Sequence, residues 1–129
     1  MGWQQEVADL HQFFEEWFNA DCPQAALSVL EAALDTDFSM VTPAGDTLTR
    51  SQVTRAVADG YGLRPGLTIT VDHYVTLLEG PGIVVGRYVE RHDLAEETSE
   101  RVSQAVFRRD APEQRLRWLA VHETWRSSQ

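Results

Sequence analysis

The chain has 129 residues, 43% of them hydrophobic and 24% charged, a balance that suits one folded domain over residues 1–129 and excludes extended disorder. Its formal net charge is −9 and its eleven basic residues are all arginines, so electrostatic capture of a phosphate backbone is disfavoured and no nucleic-acid partner is expected. Met1-Gly2-Trp3-Gln4-Gln5-Glu6 has no basic segment leading into an apolar run, and no stretch reaches the length of a membrane span, so a cytoplasmic protein with no membrane partner is expected.

From Trp3 to Asn19, the residues Trp3, Val7, Leu10, Phe14, Trp17 and Phe18 recur at three- and four-residue steps, which predicts an amphipathic helix with a bulky stripe. His11 lies on its flank, one residue beyond Leu10, where it either looks into a cavity or sits partly exposed beside the core. Asp21-Cys22-Pro23 ends this helix, and Pro23 opens a second one that carries Leu27, Leu30 and Leu34 inward. Cys22 is the single cysteine; it forms no intrachain disulfide and reads as an inert small residue.

A short strand from Asp37 to Thr42, the turn Pro43-Ala44-Gly45-Asp46 and the return Thr47-Leu48 make a small hairpin. Thr49-Arg50-Ser51-Gln52 matches a capping box, so a third helix runs from Arg50 to about Asp59 and stops at Gly60-Tyr61-Gly62. Tyr61 at this helix end either plugs one mouth of a cavity or caps the core. Leu67 to Glu79 and Ile83 to Asp93 read as long strands around Gly80-Pro81-Gly82, and Leu94 to Ser99 as an acidic loop. Two further strands, from Arg101 to Trp125, flank the turn signal Asp110-Ala111-Pro112-Glu113-Gln114. The order α-α-β-β-α-β-β-β-β predicts an α+β domain, with three helices on one face of a curved antiparallel sheet.

The helix with His11, Phe14 and Trp17, the hairpin Phe38 to Pro43-Ala44-Gly45, Tyr61-Gly62 and the closing Trp118-Leu119-Ala120-Val121-His122-Glu123-Thr124-Trp125 together resemble one family. It is the nuclear transport factor 2-like superfamily, the cystatin-like cone shared with ketosteroid isomerase and SnoaL-like cyclases; the nearest resemblance is to an uncharacterised SnoaL-like domain. The resemblance covers nearly the whole chain. It implies a deep cone-shaped pocket and, commonly, a dimer through the outer sheet face. It implies no single activity, because the fold hosts enzymes, binding modules and assembly domains. The aspartate and tyrosine set of ketosteroid isomerase has no residue-by-residue match here.

Pairing the strands on paper gives a candidate site. If Leu94 pairs with Ser99, Glu90 faces Ser103 and Tyr88 faces Ala105; if Asp110 pairs with Arg115, Ser103 faces His122 and Phe107 faces Trp118. By the resemblance, the face carrying Trp118 and His122 is the concave one. Glu90 and His122 are then the expected acid and base, with the Glu90 pKa raised by burial. Phe14, Trp17, Tyr61, Tyr88, Arg101, Ser103 and Trp118 are expected to line the pocket. The competing reading of Glu90, Ser103, Arg101 and His122 is a satisfied polar network that does no chemistry.

His73, His92 and His122 fall on different strands without ligand-pair spacing, so no metal site and no cofactor are expected. Three functions remain open: a protein binding a small hydrophobic molecule, a cofactor-independent isomerase, dehydratase or cyclase, and an assembly domain. Val85, Val89, Val106, Leu119, Val121 and Trp125 share the convex face in these registers, which predicts a homodimer through that face.

Overall fold

The computed structural model describes residues 2–110 and 115–126. Helix α1 spans Trp3–Phe18 and buries Trp3, Val7, Leu10, His11, Phe13 and Trp17, so His11 belongs to the buried stripe. Ala20, at φ 56°, turns the chain after Asn19, and the Asp21 amide donates to the Glu16 carbonyl at 2.8 Å, which satisfies a terminal carbonyl of the helix. Pro23 precedes a single 3₁₀ turn, Gln24–Ala26, and α2 follows over Leu27–Ala33. Leu34, expected inside that helix, is instead the first residue of strand β1, Leu34–Val41.

Strand β2, Thr47–Thr49, pairs antiparallel with β1. The capping box forms as expected: the Gln52 amide donates to Thr49 Oγ1 at 3.3 Å and the Thr49 amide donates to Gln52 Oε1 at 2.8 Å. Helix α3, Arg50–Asp59, follows. Its exit loop is tied to the end of α1, where Gly62 N donates to the Trp17 carbonyl and Arg64 N to that of Phe18.

Strands β3 (Thr68–Gly80), β4 (Ile83–Leu94), β5 (Glu97–Asp110) and β6 (Arg115–Trp125) complete the α+β architecture, one six-stranded sheet in the order β2-β1-β6-β5-β4-β3. The pairing is antiparallel except that β1 runs parallel to β6. The turn expected at residues 110–114 lies, beyond Asp110, outside the described residues; the flanking pair Asp110 and Arg115 is in the expected register.

Two local features reset the faces of the sheet. The acidic loop is a two-residue turn, Ala95-Glu96, with Ala95 at φ 54°, so Leu94 pairs with Glu97 and the whole β4–β5 ladder is displaced by two residues from the expected register. An even displacement keeps every side chain on its face. Between Phe107–Trp118 and Val106–Ala120 the β5–β6 ladder contains a bulge at Leu119. One inserted residue reverses the alternation beyond it, so Val121 and Glu123 turn inward and His122 turns out.

The core lies between the helices and the concave face, with Trp3, Trp118, Tyr88 and Phe107 almost fully buried. Each buried indole N–H finds an acceptor: Trp3 on Thr76 Oγ1 at 2.9 Å, Trp17 on the Val57 carbonyl at 2.6 Å and Trp118 on Glu6 Oε2 at 3.1 Å. The Trp3 ring lies flat enough on β4 that a Cβ at Gly86 would stand 2.5 Å from it.

Candidate functional site

A cavity of about 70 Å³ opens between α1, α2, α3 and the concave face. Its wall is largely apolar, with Phe14, Leu34, Phe38, Met40, Trp118 and Val121 among the contributors, and His11, Tyr88 and Glu123 supply its polar groups. Such a volume has room for about two water molecules at ~30 Å³ each. A ring-sized ligand therefore needs a wall to yield, and half-buried Met40, unbranched and adaptable, is the side chain suited to that.

Behind this wall lies a buried polar cluster. Glu90 on β4 is 4% exposed and accepts at both oxygens: Oε1 is 3.0 Å from His11 Nε2, and Oε2 is 2.5 Å from His92 Nε2. His11 Nδ1 donates to the Val7 carbonyl at 2.8 Å, one turn back along α1. Both ring nitrogens of His11 thus face acceptors, which calls for the doubly protonated imidazolium. Burial works against that charge, but the Glu90 charge and hydrogen bond and the Val7 carbonyl outweigh it and raise the His11 pKa.

Glu90 itself departs from the expected direction. Burial pushes its carboxyl up, but the His11 charge, the hydrogen bonds from His11 and His92, and the Arg101 charge hold it well below the ordinary carboxylate range. The raised carboxylate is Glu123, two strands away, pushed up by burial and by the Glu90 charge against the opposing pull of Arg101. Arg101 Nη1 reaches Glu123 Oε1 at 3.3 Å, and the Ser103 hydroxyl lies 3.5 Å from Glu123 Oε2. Tyr88 is fully buried between the two carboxylates, and burial with their charges raises its hydroxyl well above the usual value.

This arrangement assigns different work to the two carboxylates. Both nitrogens of His11 are committed inside the protein, so its ring offers no free donor to a ligand, and Glu90, held by two histidines, is not part of the cavity wall. Glu123 lines the cavity with a carboxyl whose pKa is raised, an acceptor that can also donate when protonated, and Tyr88 adds a hydroxyl.

The residues proposed from sequence separate into three groups. Phe14, Tyr88 and Trp118 line the cavity. Glu90, Arg101 and Ser103 are on the concave side but stand behind the wall, in the polar cluster, with Glu90 opposite Arg101 and Ser103 opposite Glu123 in the ladders. Trp17 and Tyr61 pack edge to face with centroids 4.6 Å apart at the α1–α3 junction, where the Tyr61 hydroxyl donates to the Cys22 carbonyl.

The expected pair of Glu90 and His122 does not form. His122 is exposed on the opposite face beside Arg87, Val102, Gln104 and Thr124, because the Leu119 bulge reversed the alternation. Glu123 was missed, and His11, read as either looking into a cavity or sitting partly exposed, is buried and lines the cavity. His11 was signalled by its spacing, four residues after Val7 and three before Phe14; Glu123 had no signal without the bulge. Among the described residues no group of three or more His, Cys, Asp or Glu is placed to hold a metal ion.

The comparisons with known proteins agree with this architecture. No protein-family model matches the chain, and no curated protein sequence matches it either. Among solved structures, it is similar to an NTF-2 like protein of unknown function from Pseudomonas aeruginosa, with a TM-score of 0.92 and 34% identity over 97% of this chain and 98% of that one. An uncharacterised cystatin-like protein from Caulobacter vibrioides gives 0.69 at 14% identity, covering 97% and 90% of the two chains. The association domain of C. elegans CaMKII gives 0.64 at 16% identity over 94% of each chain. The last two likenesses are of fold alone. With a relative at 34% identity over 97% of its length, the chain belongs to the NTF2-like proteins.

Proposed function

We propose that this protein binds a small, largely apolar molecule in the cavity beneath α1, with the Glu123 carboxyl and the Tyr88 hydroxyl holding a single polar group of the ligand. The observation that supports it is the composition of the wall: an apolar surface with its few polar groups at one end is how small-molecule sites combine affinity with orientation. A neutral hydroxyl suits a carboxyl whose pKa is raised by burial and by the Glu90 charge, because such a carboxyl can donate when protonated as well as accept. Phenol is the test probe. Isothermal titration is expected to give saturable binding of phenol that is lost in Val121→Phe, where the added ring occupies the cavity. Phenol binding undiminished by Val121→Phe would place it elsewhere and defeat the proposal.

A second reading, assembly as a homodimer, has its own observation. On the outer face Val85 pairs with Val106, Val89 with Val102, and Val106 with Ala120, a ladder of aliphatic side chains on the sheet surface opposite the core, which no helix among the described residues covers. The patch differs from the one expected: Val121 now faces the cavity, and Trp125 follows it inward in alternation to stack on Arg101 at 4.8 Å. Light scattering at micromolar concentration is expected to give twice the chain mass, reduced to the monomer in Val102→Glu. A monomeric wild type would remove this reading and leave the binding reading untouched.

A further inference from the structure

Among the described residues, Glu123 is the one carboxyl on the wall of the central cavity, and it is 6% exposed on a largely apolar surface. Its two oxygens are unequally served. Arg101 Nη1 donates to Oε1 at 3.3 Å, while Oε2 has only the Ser103 hydroxyl at 3.5 Å, the outer limit of a hydrogen bond. What enters the cavity therefore decides how well this carboxyl is solvated. The cavity has no room to share: about 70 Å³ holds roughly two waters, and a ring enters only as Met40 yields, so a bound ring leaves no water beside Glu123.

Two kinds of ring then behave differently. A ring with a hydroxyl replaces the hydrogen bond of the water it displaces, and its donor meets an ionised carboxylate in a charge-assisted contact. A ring without a donor replaces nothing, and an ionised carboxylate stripped of solvent is costly enough that the group takes up a proton instead. That penalty applies whatever the starting pKa of the carboxyl; burial and the Glu90 charge, which raise it, bring the change to milder pH. The other charged or titratable groups around Glu123 are His11 of α1, Glu90 and Tyr88 of β4 and Arg101 of β5, while β1, α2 and α3 give the wall only apolar side chains. In mild acid Glu90 is held ionised, Tyr88 keeps its hydrogen, His11 is held charged and the Arg101 guanidinium is a fixed charge, which leaves Glu123 as the group that changes.

Resting on the binding reading above, we infer that the cavity is a proton-coupled site selective for hydrogen-bond donors: a ring bearing a hydroxyl binds whether or not Glu123 carries a proton, whereas a ring without a donor binds only together with one. Benzene and phenol are the probes, close in size and differing in that donor. Calorimetric titration of each in two buffers of different ionisation enthalpy, repeated from about pH 5 to about pH 8, reads affinity and proton uptake together. Benzene affinity is expected to fall with rising pH towards a limit of about tenfold per pH unit, the slope for one proton, with the uptake seen directly in the buffer dependence. Phenol affinity is expected to stay nearly level, with no net uptake. Glu123→Gln, whose amide keeps a donor and cannot ionise, is expected to bind benzene with no pH dependence; the wild-type contrast decides the matter if that variant does not fold. Benzene affinity level with pH, uptake by phenol equal to that by benzene, or no benzene binding at the acid end where phenol binds would overturn the inference and leave the binding reading standing. So would a benzene pH dependence retained in folded Glu123→Gln. Phenol failing to bind at every pH would defeat the binding reading itself, and this inference with it.

Discussion

His11 Nε2 on the first helix and Glu90 Oε1 on the fourth strand meet at 3.0 Å across 79 residues of sequence, both buried. This contact fastens α1 to the sheet at the back of the cavity and sets the charges around it. A buried pair of this kind loses most when one partner alone is removed, since the other is left charged and dry. Glu90→Gln is expected to lower unfolding stability by about 3–5 kcal/mol in urea titrations. A loss within experimental error would mean that the pair carries no charge.

The dependence of stability on pH follows from the three shifts. Glu90 is held down in the folded protein, so its contribution is present above the ordinary carboxylate range and is lost as pH falls through its folded value. His11 is held up, so its contribution is complete below about pH 6.5, the unfolded value, and is lost as pH rises through the folded one. Glu123 is also raised, so ionising it costs stability from about pH 4.3, its unfolded value, up to its folded value. Stability measured against pH is therefore expected to peak in mild acid and to fall on both sides. Glu123→Gln, which cannot ionise, is expected to flatten the alkaline side; an unchanged decline would assign it to other groups.

Packing at the narrow contact between α1 and β4 gives a sharper test of the fold. Gly86→Ala places a methyl group 2.5 Å from the Trp3 ring, which is itself pinned through its N–H to Thr76. Overpacking of this kind costs about 1–3 kcal/mol, and Gly86→Ala is expected to fall in that range by thermal or urea unfolding. A neutral substitution would show that Trp3 is free to shift.

Much of this molecule was legible in the amino-acid sequence, and the losses have two physical origins. Helices α1 and α3, the Thr49 capping box and the order of the strands follow from periodicity and from local hydrogen-bonding residues, and local signals of this kind survive folding unchanged. The Ala95-Glu96 turn was read as a longer loop because neither residue is a usual turn former, yet the displacement it caused was even and Glu90 stayed on the concave face. The Leu119 bulge was more damaging. Nothing in Trp118-Leu119-Ala120 marks it, and one extra residue exchanged Glu123 for His122 in the site. The Glu90 pKa was missed for another reason: burial was legible, but the two histidines that reverse its effect come from α1 and from the same strand's next inward position.

The central claim is that Glu123 and Tyr88 hold the polar group of a small ligand in the cavity beneath α1. A crystal structure of the protein soaked in phenol measures it directly. The account predicts the phenol ring among Phe14, Met40 and Trp118, with its hydroxyl within hydrogen-bond distance of the Glu123 carboxyl and with Met40 displaced from its position here. Density for phenol at saturating concentration only outside this cavity, or a cavity left unchanged, would contradict it.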